Sequence, residues 1–155
     1  MPPYLIAPPE SESLGRTIAQ AANWEWAAIE ERRFAGGESA LRPLVAVGNR
    51  DVCVVQTLAP TAEAPIADRL VRLLFLLGSL RDAGARSRIA LIPYLAYARQ
   101  ERRTENCDPV HTRYVAELLE AAGMTHLIAL DVHDLGALDN SFRVPVDHLT
   151  ARPIF

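Results

Sequence analysis

Two tyrosines and three arginines follow an apolar run near the middle of the chain. Residues 89–92, IALI, predict a short buried strand that stops at Pro93. The loop after it carries Tyr94, Tyr97, Arg99, Gln100, Glu101, Arg102 and Arg103. A guanidinium suits phosphate, and a tyrosine ring offers a face on which a base can stack. Because ligands of open α/β sheets bind beyond the carboxyl ends of strands, this loop is a candidate binding site; the alternative is a solvated, charged surface loop.

Composition narrows the class of protein. The chain has 155 residues, half of them hydrophobic and 23% charged, which is typical of one globular domain. Its formal net charge of -3 argues against a general nucleic-acid binder, which would carry a basic excess. All 16 positive side chains are arginine. The chain therefore offers no lysine for a phosphate-binding P-loop or for a Schiff base.

Cysteine spacing and hydropathy predict the cellular setting. Cys53 lies in an apolar run and Cys107 in a polar loop, without CxxC spacing, so we expect neither a zinc site nor a disulfide framework. The most apolar segment, residues 70–80, is too short to cross a bilayer and contains Arg72. The first ten residues lack the pattern of a signal peptide. We therefore expect a cytoplasmic protein without a membrane partner.

Strands and helices alternate along the chain. We predict strands over residues 4–7, 27–34, 51–56, 88–92 and 126–130, an extended ribbon over 39–47, and a short apolar piece at 144–146. Such an order is typical of βαβ units. The predicted fold is therefore α/β, a single domain over residues 1–155 with a mainly parallel sheet flanked by helices.

Three helices are predicted between these strands. The clearest covers residues 66–83, in which the apolar residues at helical spacing are Ile66, Leu70, Leu73, Leu74, Leu77 and Leu80. The first covers residues 10–22, with a cap at Ser11 or Ser13 and a shared face of Leu14, Ile18 and Ala21. The third begins with an Asp108 cap and Pro109 in the first turn, and ends at Gly123.

Several motifs, in the same order over nearly the whole chain, resemble the ribose-phosphate pyrophosphokinase (PRPP synthetase) family. The most specific is the run of residues 92–103, IPYLAYARQERR. It is accompanied by the turn FAGGE, by Gln56 with the Ala-Pro-Thr that follows, and by residues 131–147 and 153–154. The resemblance implies a phosphoribosyltransferase-like fold, that of the family's N-terminal domain.

The resemblance also implies a reaction. The family transfers pyrophosphate from ATP to the C1 hydroxyl of ribose 5-phosphate, in a Mg²⁺-dependent step that gives PRPP and AMP. Arg99 and Gln100 match the pair that holds the nucleotide, and His133 matches the histidine of the Mg²⁺–ATP site. Arginine and Mg²⁺ suit this chemistry because pyrophosphoryl transfer needs positioning and neutralisation of developing negative charge.

The turn at residues 34–38 matches a second contact of the family. Phe34, Gly37 and Glu38 stand where family members reach the adenine of a neighbouring subunit's ATP, which implies a homo-oligomer. Gly36 stands where the family usually has an acidic residue. The metal segment differs as well, since DVHDLG at 131–136 has neither the alanine after the histidine nor the following glutamine of the family.

Family members carry a second, homologous domain with the ribose-phosphate loop and the catalytic lysine, and neither lies within these 155 residues. We expect the chain to be the ATP-binding N-terminal half, with no catalytic residue of its own and no activity alone. The alternative is a catalytically silent paralogue or associated regulatory subunit. Gly36 and the altered metal segment favour the silent subunit, whereas Arg99, Gln100 and His133 favour the enzyme.

Overall fold

The computed structural model describes residues 1–61 and 64–152. Its strands are β1 (Tyr4–Ile6), β2 (Glu25–Trp26), β3 (Ile29–Arg33), β4 (Ser39–Pro43), β5 (Asp51–Val55), β6 (Ser87–Ile92), β7 (His126–Leu130) and β8 (Val146–Leu149). Its helices are α1 (Glu12–Ala22), α2 (Ile66–Asp82), α3 (His111–Ala122) and α4 (Leu135–Ser141), with a 3₁₀ turn at Pro9–Ser11 before α1. The segment at residues 153–154 that resembles the family lies outside the described residues.

The prediction of an α/β fold with a mainly parallel sheet is confirmed. Six strands pair in the order β2-β1-β5-β6-β7-β8, and every pairing is parallel. Strands β3 and β4 form a separate antiparallel hairpin. Parallel strands place all their carboxyl ends at one edge of the sheet, so the loops that follow β1, β5, β6 and β7 lie at that edge.

Strand β5 lies at the centre of the sheet, as its β-branched run predicts. Val52 and Val54 pack into the larger core under α2 and α3, while Cys53 and Val55 face the smaller core under α1. This alternation follows from the two-residue period of a strand. Burial raises the pKa of the Cys53 thiol to about 12, which makes it a packing residue rather than a nucleophile.

Helix α2 covers one face of the sheet with the leucines that its periodicity singles out. Leu70, Leu73, Leu77 and Leu80 are buried, together with Leu76. Gly84 follows the end of the helix with a φ of 76°, the left-handed conformation in which many helices end.

Within the described residues, no helix is long and apolar enough to cross a membrane.

The predicted face of α1 is wrong in part. Leu14 is 41% exposed, and the buried residues of the helix are Gly15 and Ala19. Small residues are needed because α1 approaches the sheet closely: a Cβ on Gly15 would lie 2.9 Å from a ring carbon of Trp26. Ser11 does not cap the helix with its side chain, but its hydroxyl accepts a hydrogen bond from the Thr57 amide at 3.2 Å.

The strand predicted over residues 27–34 forms as β3, but it does not belong to the main sheet. The chain leaves that sheet at Ala27, whose amide donates to the Leu5 carbonyl at 2.9 Å. Among the described residues, β3 then pairs with β4 alone. The separation matters because it frees the turn at residues 34–38 from the sheet and projects it away as the tip of a hairpin.

The predicted start of α3 is also wrong. The helix begins at His111, and Asp108 closes a local turn by accepting from the hydroxyl and amide of Thr104 and from the Glu105 amide. The bond from the Thr104 hydroxyl, with the two amide bonds, lowers the pKa of the Asp108 carboxyl. The local turn competes successfully because Asp side chains readily bond to nearby backbone amides.

Asp51, at the start of β5, makes the stability of the fold depend on pH in the acidic range. Hydrogen bonds from Arg86 and then Ser87 lower the pKa of this carboxyl from 3.8 to about 2. A carboxyl with a lower pKa in the folded state stabilises the fold above its unfolded pKa and loses that contribution as protons bind. We expect the free energy of unfolding to fall as the pH drops from about 4 to about 2, measured by urea denaturation. Asp51→Asn should remove the part of this decline in the free energy of unfolding that comes from Asp51. If the free energy of unfolding of the variant fell with pH as in the wild type, Asp51 would not be the group responsible.

Candidate functional site

A pocket of about 370 Å³ opens beyond the carboxyl ends of β6 and β7. These strands are parallel neighbours, so the loop after β6 and the segment after β7 meet at the same edge. Tyr94, Tyr97, Arg99 and Gln100 line the pocket from the first loop, and His133 lines it from the second segment. The structure thus brings His133 together with Arg99 and Gln100, from which it is more than thirty positions away in the sequence.

Arg99 gives this pocket an available positive charge. Its side chain is exposed, and among the described residues it takes part in no ion pair. Tyr94 and Tyr97 are 45% and 39% exposed, so their rings are accessible beside that charge. A guanidinium next to open aromatic faces is suited to a ligand that combines an anionic group with a flat ring.

Glu101 lies beside His133, which the sequence does not predict. Its Oε1 lies 3.8 Å from His133 Nδ1, and its side chain is only 9% exposed. Its Oε2 is buried and has no hydrogen-bond partner within the described residues. A buried carboxylate oxygen is costly to leave without a donor or cation. The Glu101 carboxylate therefore lies behind the pocket wall, next to the imidazole of His133, which lines the pocket.

Two aspartates of the segment after β7 shape its backbone. Asp131 has a left-handed φ of 45°, and its carboxylate accepts from the Thr150 hydroxyl at 3.1 Å and the Ala151 amide at 3.2 Å. Asp134 caps α4 by accepting from the Ala137 amide at 2.9 Å. These contacts engage both aspartates in fixing the segment that presents His133.

The remaining histidines have structural contacts. His148 Nε2 accepts from the Val132 amide at 3.2 Å, and His126 pairs with Asp147 at 2.8 Å on the surface. His111 lies between the rings of Tyr97 and Tyr114, at centroid distances of 5.7 and 6.0 Å. The last contact is notable because Tyr97 belongs to the pocket.

The hairpin residues do not line the same pocket as Arg99. Phe34, Gly37 and Glu38 border a separate pocket of about 550 Å³ between the hairpin tip and α2. The tip is closed by the Phe34 amide bonding to the Glu38 carbonyl at 2.9 Å, and Gly37 adopts a φ of 86° that suits glycine. Phe34 is 54% exposed, so its ring is presented outward from the tip.

An ion network joins the base of the hairpin to the sheet. Arg72 of α2 donates to Glu31 of β3 at 2.8 Å and to Glu10 at 3.1 Å, and the three side chains are 12%, 12% and 18% exposed. Gln56, at the end of β5 and fully buried, donates to the same Glu10 oxygen at 3.1 Å. The sequence motifs do not indicate this network, because 41 and 62 positions separate Arg72 from its two partners.

The residues present do not hold a metal ion by themselves. Within the part of the chain that the structure describes, no group of three His, Cys, Asp or Glu side chains could ligate one. Mg²⁺ commonly keeps several waters and binds through one or two protein ligands together with substrate phosphates. His133 and the unpartnered oxygen of Glu101 fit a shared site of that kind.

Comparison with known proteins decides the family. Residues 4–123 match the family model described as the N-terminal domain of ribose phosphate pyrophosphokinase. The chain belongs to the ribose-phosphate pyrophosphokinase family. It is 35% identical over 141 residues to the ribose-phosphate pyrophosphokinase of Fusobacterium nucleatum, covering 91% of this chain and 43% of that protein. It is 36% identical over 144 residues to that of Methanothermobacter thermautotrophicus, covering 93% and 48%.

A solved structure supports the same family. The crystal structure of phosphoribosylpyrophosphate synthetase from Mycobacterium smegmatis superposes with a TM-score of 0.89 at 28% identity, covering 99% of this chain and 50% of that chain. The chain therefore spans about half the length of the ribose-phosphate pyrophosphokinases that it matches.

The ion network gives a direct test of what holds the hairpin in place. Arg72→Met removes the cation between two mostly buried carboxylates, and we expect it to lower the free energy of unfolding by about 2–4 kcal/mol. Urea denaturation followed by circular dichroism measures this loss. Arg42→Met is the matched control, because Arg42 pairs with Glu30 on the exposed side of the same hairpin. We expect little change there, and an equal loss in both variants would contradict a special role for Arg72.

Proposed function

We propose that this chain is the ATP-binding half of a ribose-phosphate pyrophosphokinase, which converts ATP and ribose 5-phosphate to PRPP and AMP. The observation that supports it most is the single pocket that gathers Arg99, Gln100 and His133. These residues are the ones that the family resemblance assigns to the nucleotide and its metal. The pocket also lies at the sheet edge where ligands of parallel α/β proteins bind.

The side chains of the pocket suit a Mg²⁺–nucleotide. Arg99 would neutralise phosphate charge through its forked donors, and Gln100 would donate a neutral hydrogen bond beside it. The tyrosine rings would pack against the flat or apolar part of the ligand. Mg²⁺, when bound with the phosphates, supplies neutralisation of the charge that develops during transfer. His133, through a water, and Glu101 are the residues that would hold it.

Ribose 5-phosphate would bind to the second half that relatives have and this chain does not span. The activity therefore requires that half, in the same polypeptide or as a separate partner. On this proposal the chain alone binds Mg²⁺–ATP and does not turn it over. Adding a separately produced C-terminal half from a relative is a direct way to look for restored PRPP synthesis.

The first experiment is calorimetric titration of Mg²⁺–ATP into this chain and into Arg99→Ala. Loss of a charge-assisted phosphate contact should weaken binding by about 1.5–3 kcal/mol, or roughly ten- to hundredfold. Arg102→Ala is the matched control, since Arg102 is an exposed arginine of the same loop that does not line the pocket. Equal effects in both variants would indicate general charge attraction, and no binding by the folded wild-type chain would contradict the ATP site.

We further propose that the chain forms a homo-oligomer through the hairpin tip. The tip is exposed and lines a pocket separate from that of Arg99, which suits a contribution to a neighbouring subunit's nucleotide. We expect sedimentation at micromolar concentration to show a dimer or larger assembly, and Phe34→Ser to shift it toward monomer. Leu44→Ser replaces another 54% exposed side chain, outside the tip, and is the control. A monomeric wild-type chain would contradict the shared site.

The competing function is that of a catalytically silent partner of an active synthetase. The exposed Gly36 favours it, since family members usually carry an acidic residue there. A Cβ added at Gly36 would meet nothing within 4 Å, so the lack of a side chain is not forced by space. Gly36→Asp should then raise the affinity of the assembled protein for ATP if the tip reaches adenine. Unchanged affinity, with no ATP binding by the wild-type chain, would support the silent subunit.

A further inference from the structure

One residue outside the family motifs holds both ends of the turn that carries Arg99. The Gln100 amide donates to the Tyr97 carbonyl at 3.3 Å, so residues 97–100 form a turn with Arg99 inside it. The hydroxyl of Thr112 donates to the same Tyr97 carbonyl at 3.0 Å. The Thr112 amide donates to the Gln100 carbonyl at 3.4 Å. The first and last residues of the turn are thus both attached to one threonine of α3.

The turn needs such support because its first residue is strained. Tyr97 has a φ of 66°, a left-handed conformation that non-glycine residues rarely adopt. Strained residues of this kind persist only where surrounding contacts hold them. Two contacts hold Tyr97. The Thr112 hydroxyl donates to its carbonyl, and the centroid of the His111 ring lies 5.7 Å from that of the Tyr97 ring. Consecutive residues at the start of α3 therefore hold the backbone and the side chain of Tyr97.

At the start of α3, where Val110 provides no side-chain cap, these contacts satisfy a backbone amide. The first amides of a helix have no partner within it. At α3, the amide of Thr112 finds its acceptor in the loop, at Gln100. Thr112 is only 3% exposed, so its hydroxyl would be costly to bury without the bond to Tyr97. Helix start and loop therefore satisfy each other's polar groups, and neither arrangement is independent of the other.

We propose that Thr112 is a positioning residue for nucleotide binding, which holds the Tyr97–Gln100 turn so that Arg99 and Gln100 face the pocket. The proposal rests on the ATP-binding function above. Thr112 itself does not line the pocket. Its effect on the ligand would pass through the backbone of the turn, which distinguishes it from Arg99.

The decisive variant is Thr112→Val, which keeps the shape and branching of the side chain and removes the hydroxyl. We expect its dissociation constant for Mg²⁺–ATP, measured by calorimetry, to rise about three- to tenfold. Thr112→Ser keeps the hydroxyl and should stay within about twofold of the wild type. Thr125→Val is the matched control, because the Thr125 hydroxyl bonds to the Arg88 backbone at the opposite end of the sheet. It should lower stability without changing affinity.

Two further measurements separate positioning from general destabilisation. Hydrogen exchange of the free protein should show faster exchange at the Gln100 and residue-112 amides in Thr112→Val, with the end of α3 unchanged. In a double-mutant cycle, the weakening caused by Thr112→Val should be smaller in the Arg99→Ala background than in the wild type, because the part of its effect that passes through Arg99 is already lost. Full additivity would overturn the proposal.

The outcomes distinguish the positioning role of Thr112 from the ATP-binding function on which it rests. A folded wild-type chain that binds no Mg²⁺–ATP overturns the proposed function and the positioning role together. Normal affinity in Thr112→Val, with ATP binding intact in the wild type, overturns the positioning role alone. An equal loss of affinity in Thr125→Val also overturns the positioning role, because the loss would then result from lower stability in general. The positioning role is supported if Thr112→Val weakens binding, Thr112→Ser keeps the affinity of the wild type, and the faster amide exchange is confined to the turn and the start of α3.

Discussion

The parallel pairing of β5, β6 and β7 is the constraint on which the other features depend. It buries Val52–Val55, Ala90 and Leu127 in the centre of the molecule and leaves every loop of interest at one edge. That edge has two parts. Beyond β1 and β5, where the strand order reverses, Glu10, Gln56 and Arg72 fill the space with a hydrogen-bonded network. Beyond β6 and β7 the edge stays open as the pocket that contains Arg99.

Arginine serves two opposite purposes in a chain without lysine. Arg69 is buried, and the Arg72 side chain is only 12% exposed. Arg69 donates to Thr57 and Thr61, and Arg72 donates to Glu10 and Glu31. Arg99 is exposed and keeps its donors available at the pocket. The same planar group thus stabilises the scaffold where acceptors surround it and offers an anion site where none do. Position in the fold, rather than residue type, separates the two roles.

The chain spans about half the length of the relatives that it matches. Its pocket contains the exposed Arg99, and Glu101 lies next to His133, but the described residues include no group of three side chains that could ligate a metal ion. The hairpin presents Phe34 and Glu38 at a second pocket. On the proposed function, the nucleotide site would be completed by the ligand, by Mg²⁺ and by residues of neighbouring subunits. On that proposal, the exposed Phe34 ring at the hairpin tip would contact the nucleotide of a neighbouring subunit.

The sequence by itself determined the elements whose signals are local. The β-branched run of β5, the leucine spacing of α2 and the Gly36-Gly37 turn each formed as predicted, because short-range periodicity and turn geometry control them. The family motif also singled out Arg99, Gln100 and His133, which line one pocket and whose binding role stays a prediction. Tertiary structure alone decided the rest. Arg72 pairs with Glu10 and Glu31, 62 and 41 positions away, and Gly15 replaces Leu14 at the core because Trp26 approaches the helix. Such contacts depend on how the sheet brings the elements together, which no local pattern records.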